Sequence, residues 1–169
     1  MIIVADSGPI ISFARAGRLD LLKQVTTELI IPDAVFEEIV VIGDDRPGAE
    51  EVKQGLWIKR ATLQNRSLLE SMPGKLNLGE SEAIVLAKEL GAHLLVDELE
   101  ARKEASRLGI NYFGSLRIIK EVQDRGVIAA IPLRIKTTAA DTSLDLENDS
   151  ESQPRDQLRD LAPDSVDSA

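Results

Sequence analysis

Carboxylates at the ends of apolar runs are the first feature of this sequence that could do chemistry. Residues 2–5 (Ile-Ile-Val-Ala) run into Asp6 and Ser7, and residues 93–96 (His-Leu-Leu-Val) run into Asp97 and Glu98. Short, continuously apolar runs suit buried strands of a parallel sheet, and open α/β sheets bind ligands at the carboxyl ends of their strands. Each acid also has a plainer role, as the cap of the helix that follows it. Two such acids in one small sheet favour a shared site, because adjacent parallel strands would bring them together. Like charges that close repel unless a cation lies between them.

Helical acids can join these. Glu37 and Glu38 follow a second apolar run at 29–31, in a segment whose pattern predicts a helix over 32–40. Glu38 lies beside Val35 and Ile39 on the inner edge of that helix, and Glu37 faces solvent. Glu80 and Glu82 open a later helix, in Asn77-Leu78-Gly79-Glu80-Ser81-Glu82. Two residues along a helix is a turn of about 200°, so the two glutamates point to opposite sides. Asn77 with Glu80 three residues on forms a capping box, which assigns Glu80 to the cap and leaves Glu82 to enter the site. Acids from four separated segments suit a hard, oxygen-liganded cation such as magnesium or manganese. The natural chemistry of such a site is phosphodiester hydrolysis.

Composition narrows the alternatives. The 169 residues include no cysteine and one histidine, His93. Disulfides, thiolate metal sites, a cysteine nucleophile and a multi-histidine metal site are thereby excluded, and a Ser-His-Asp triad would have to use His93. His93 itself sits inside a strand pattern and reads as a strand residue. No phosphate-loop or dinucleotide-loop glycine motif is present. No apolar run is long enough to span a bilayer, and the first residues read as a strand, not as a signal peptide, so the expected compartment is the cytoplasm.

The elements that must position the acids alternate strand with helix. Strands are expected over 2–5, 29–31, 57–59, 93–96 and 110–113. Helices are expected from Pro9 to 16, over 18–24, 32–40, 50–53, from Asn77 to the stop at Gly91, over 98–108 and over 115–124. This order predicts an α/β fold with a central, mainly parallel sheet flanked by helices in three layers. Net charge is −9, and residues 137–169 hold nine acidic and two basic residues. That segment lacks aromatic residues and periodicity, so the expected division is a folded domain over 1–136 and an acidic, disordered tail over 137–169. The tail would keep the chain soluble or lie over a basic groove as a phosphate mimic.

Three stretches together resemble a known family. They are the strand into Asp6-Ser7, the Pro-x-x-Val-x-x-Glu pattern from Pro32 to Glu38, and LNLGESEAIVLAKELGAHLLVDELEAR. Their order is similar to that of PIN domains of the compact prokaryotic kind, like the VapC toxins of toxin–antitoxin pairs. Gly114-Ser115-Leu116 resembles the Gly-Thr-Leu turn of one branch of that superfamily. The resemblance covers roughly residues 1–130. It implies a Rossmann-like PIN fold whose acidic pocket binds Mg2+ or Mn2+ and cleaves RNA, with an antitoxin encoded nearby and a possible homodimer. The alternative it leaves open is a catalytically weak PIN module acting through RNA or protein contacts. On the family's pattern, the site acids are Asp6, Glu38, Glu82 with Glu80 as a substitute, and one of Asp97 and Glu98. Ser7 matches a small hydroxyl residue that would orient Asp6 or a water. Glutamate at 82 and 98 is longer than the family's usual aspartate. RNA reaching an acidic pocket needs a basic rim, for which Arg102 and Lys103 are the first candidates, followed by Arg15, Arg18, Lys75 and Arg117.

Overall fold

The computed structural model describes residues 1–43, 46–126, 135–136 and 143–144. Five strands form one parallel sheet in the order β3-β2-β1-β4-β5: β1 Ile2–Ala5, β2 Glu28–Pro32, β3 Ile58–Ala61, β4 His93–Leu95 and β5 Tyr112–Phe113. The helices are α1 Ser7–Arg15, α2 Asp20–Val25, α3 Asp33–Phe36, α4 Ala49–Gln54, α5 Arg66–Glu70, α6 Leu78–Leu90, α7 Leu99–Arg107 and α8 Ser115–Asp124.

Strand alternation divides the core into two faces. Ile3, Ala5, Leu29, Ile31 and Leu95 point to one side, where Ile10 and Phe13 of α1, Leu21 and Leu22 of α2, and Ile118 and Val122 of α8 cover them. Val4, Ile30, Leu94 and Val96 point to the other, against Ala83–Ala87 of α6 and Ala101 and Ala105 of α7. Both faces of the central strand are therefore covered, which is why 2–5 reads as an unbroken apolar run.

The register sets the site. Ala5 lies beside Leu95, and the Asp6 amide donates to the Leu95 carbonyl at 3.1 Å. β1 also pairs with β2 through Val4 and Ile30. Asp6 thus emerges between the carboxyl ends of β2 and β4.

Two local features depart from the sequence expectations. The single helix expected over 32–40 is a short α3 that continues as a π-helical turn, Glu37–Val41, closed by Ile42 N–H donating to the Glu37 carbonyl at 2.9 Å. Its widened winding is invisible to a 3.6-residue pattern. Helix α5 was not anticipated; its signal is Asn65, whose side chain accepts from the Leu68 amide at 2.9 Å. In the segment after 136, most of which lies outside the described residues, Ser143–Leu144 (β7) pairs antiparallel with Ile135–Lys136 (β6), and β6 lies beside α1.

Candidate active site

Asp6 is the centre of the site. It is 4% exposed and caps α1, with one oxygen, Oδ2, facing the Gly8 amide at 3.5 Å. The other oxygen, Oδ1, is buried and has no hydrogen-bond partner. Burial pushes the Asp6 carboxyl up to about 7, and the charges of Glu80 and Glu38 push in the same direction against the Ser7 and Gly8 amides. Ser7, also buried, is the first residue of α1 and contributes through its amide.

Glu38 reaches the site from the π-helical turn. A β-carbon at Gly79 would lie 3.1 Å from Glu38 Oε2 and 3.4 Å from the Asn77 side-chain oxygen. The missing side chain at Gly79 is therefore what lets the Glu38 carboxylate rest against the start of α6.

Glu80 and Glu82 point to opposite sides of α6, as the sequence expects, but both sides are buried. Glu80 does form the capping box: its Oε2 accepts from the Asn77 amide at 2.9 Å while Asn77 Oδ1 accepts from the Glu80 amide at 2.7 Å. The same carboxylate faces the other acids, and its pKa is raised by burial and by the charges of Glu98 and Glu38. Glu82 instead accepts from the Ala34 amide at 2.8 Å, at the start of α3, where Pro32 offers no capping side chain. The physical reason is that α6 is buried all round from Gly79 to Ala87. A helix with no solvent face has two inner sides, and the 200° separation sends one acid to each.

The two strand-end residues of β4 also have different fates. Asp97 is held in place by hydrogen bonds: Oδ1 accepts from the Ser115 amide at 2.9 Å and from Arg102 Nη2 at 3.1 Å, and Oδ2 accepts from Ser115 Oγ at 2.6 Å. Arg102 Nε also donates to the Val96 carbonyl at 3.0 Å. A β-carbon at Gly114 would lie 2.7 Å from Asp97 Oδ1 and closer still to the Arg102 guanidinium, so this clamp requires glycine there. Glu98 is exposed, caps α7 with its backbone alone, and contributes its charge to Glu80. Of the expected basic rim, Arg102 is thus held inside the clamp. Lys103 is exposed and pairs with Glu100, a surface contact too weak to withhold it from a phosphate.

A divalent cation fits this donor set. The donors are all carboxylate oxygens, one of them buried without a partner, and burial together with the charges of Glu80 and Glu38 raises the Asp6 pKa to about 7. Among the described residues, no three His, Cys, Asp or Glu side chains yet stand as a group that could hold a metal ion. A cation beside Asp6 and Glu80 would require Glu38 and Glu98 to turn toward them, which long glutamate side chains permit. The sequence reading missed Gly79, Gly114 and the Asp97–Ser115 clamp; the signal for the clamp was the pairing of a strand-end aspartate with a later Gly-Ser helix start.

The chain belongs to the PIN-domain family, whose profile matches residues 2–141. PIN domains are in general nucleases that use divalent metals. None of the curated proteins compared is similar to it. Among solved structures it is similar to a PilT N-terminus domain protein from the archaeon Sulfolobus solfataricus, with 18% identity over 72% of this chain and 92% of that one and a TM-score of 0.54. It is also similar to a domain of a functionally unknown protein from Methanocaldococcus jannaschii, with 20% identity over 67% of this chain and 89% of that one and a TM-score of 0.45. The first likeness agrees with a PIN-type three-layer α/β fold.

Proposed function

We propose that the chain is a divalent-metal-dependent endoribonuclease. The observation that carries this reading is the buried, unpartnered Oδ1 of Asp6 under the charges of Glu38 and Glu80. Asp6, Glu38 and Glu80 would hold the cation, with Glu98 closing the open side. Bound there, Mg2+ or Mn2+ would supply a lowered water pKa and offset charge at the phosphate. The protein's own part is positional. Asp6 would hold the cation in its ionised form, its proton passing to solvent. Asn77 fixes one oxygen of Glu80, Gly79 makes room for Glu38, and the Asp97–Ser115–Arg102 clamp holds the end of β4 so that Glu98 faces Glu80. Lys103 lies on the turn after Glu98, where it can meet the RNA backbone.

The same reading extends to biology: a cytoplasmic toxin restrained by an antitoxin encoded beside it, and able to dimerise. The resemblance to VapC toxins supports this, and arrest of growth on expression, relieved by the product of an adjacent short reading frame, tests it. A catalytically weak module is the second reading. It is favoured by one observation, that the acids stand apart in the described structure. Incubation of total RNA with the protein in magnesium, manganese or chelator decides between them. Metal-dependent fragments that vanish with Asp6→Asn support the nuclease. RNA left intact in both metals supports the weak module.

A further inference from the structure

A cavity of about 210 Å³ opens beside Glu38, between α1 and the π-helical turn, and is walled by Ile11, Ile39, Ile42 and Pro47. Among the described lining residues, Glu38 and Arg46 are the charged ones. Ile42 is 72% exposed and its neighbour Val41 is 56% exposed, an apolar lip that the fold does not cover with any described residue. Arg46 makes no side-chain ion pair with a described residue and is exposed at the same lip. The cavity is below the roughly 300 Å³ at which pockets begin to take whole drug-sized ligands, which leaves room for one ring system but not for a complete nucleotide.

From this juxtaposition we infer that the cavity is a base-binding subsite: it takes one unstacked base of single-stranded RNA, and Arg46 meets the phosphate beside that base. The inference rests on the nuclease reading and adds to it the part of the substrate that the acids cannot recognise. Carboxylates and a cation engage a phosphate, which carries no sequence information. Glu38 belongs to both the acid cluster and the cavity wall, so a base seated there belongs to a nucleotide next to the one being cut. Specific reading of RNA uses bases splayed out of single strands and packed against flat or apolar side chains. The π-helical turn is the device that allows both contacts, because its wider winding lets Glu38 face the acids while Ile39 and Ile42 face the cavity. Arg46 also supplies a cation on the Glu38 side of the site, where Arg102 is unavailable.

The test is equilibrium binding, so that it does not depend on cleavage. Labelled single-stranded RNA dodecamers are titrated, in chelator, with Asp6→Asn protein, with one abasic nucleotide walked along the strand. The expected result is one position at which loss of the base weakens binding roughly threefold to tenfold, less than for an aromatic platform because the walls are aliphatic. That penalty should disappear in Asp6→Asn protein that also carries Ile42→Asp, whose exposed position leaves the fold intact, as an unchanged thermal midpoint would confirm. Arg46→Ala should weaken intact and abasic RNA alike. No sensitive position, or a penalty that survives Ile42→Asp, overturns the inference. If the unmutated protein still cleaves RNA, the nuclease reading stands without it; if it neither binds nor cleaves, both fall.

Discussion

At the scale of single residues, Asp6 ties stability to pH and to metal. Its folded pKa is raised above the unfolded value, to about 7, so the folded state holds a proton that the unfolded state has lost. The sign follows: without metal, stability should fall as pH rises from about 4 through 7, by an amount on the order of a few kcal/mol. Glu80 is shifted in the same direction and adds to the slope. Thermal midpoints in chelator between pH 5 and 8 check this, and Asp6→Asn should flatten the curve and raise the midpoint at pH 8. A midpoint that climbs with pH would mean that Asp6 is ionised and satisfied in the metal-free protein. The two glutamates of α6 separate cleanly at this scale too. Glu80→Gln keeps an oxygen for the Asn77 amide but loses the charge that faces Asp6, so cleavage should be lost with stability kept. Glu82→Ala should cleave RNA yet cost about 1 kcal/mol, the range of a lost helix cap, because the Ala34 amide loses its acceptor.

At the scale of elements, two helix starts are built around a missing side chain. Gly114→Ala would drive a β-carbon into the Asp97–Arg102 contact, and a loss of about 1–3 kcal/mol is expected by chemical denaturation, the range for overpacking a tight site. Gly79→Ala is milder, because the atom it approaches ends the flexible Glu38 side chain. Stability should barely change while manganese affinity falls, which separates positioning from folding. These contacts also show what a sequence can reveal. Strands β1, β2 and β4 were legible because full burial leaves unbroken apolar runs, and the α6 cap was legible because Asn77 and Glu80 act within one turn. The side to which Glu80 and Glu82 point was not, because periodicity assumes one buried face and α6 is buried on all of them. The π-helical turn was hidden for a related reason: the extra residue it accommodates leaves the residue types unchanged. Arg102 reads as surface charge until β5 and α8 bring Ser115 and Gly114 against Asp97, a contact across 18 positions in the chain.

At the scale of the whole molecule, acids drawn from the carboxyl ends of the sheet and from two neighbouring helices should act as one cation site. Binding to the folded form alone raises stability by mass action, so the thermal midpoint of the unmutated protein should rise with millimolar magnesium or manganese. The most direct measurement is calorimetric titration of Mn2+ at pH 6.5 in two buffers of different ionisation enthalpy, which reports affinity and proton release together. The expected result is a bound cation that displaces a proton, since Asp6 is about half or more protonated at that pH, with binding lost in Asp6→Asn and Glu80→Gln and kept in Glu82→Gln. Binding that releases no proton, or that is lost in Glu82→Gln and kept in Glu80→Gln, would contradict the site described here.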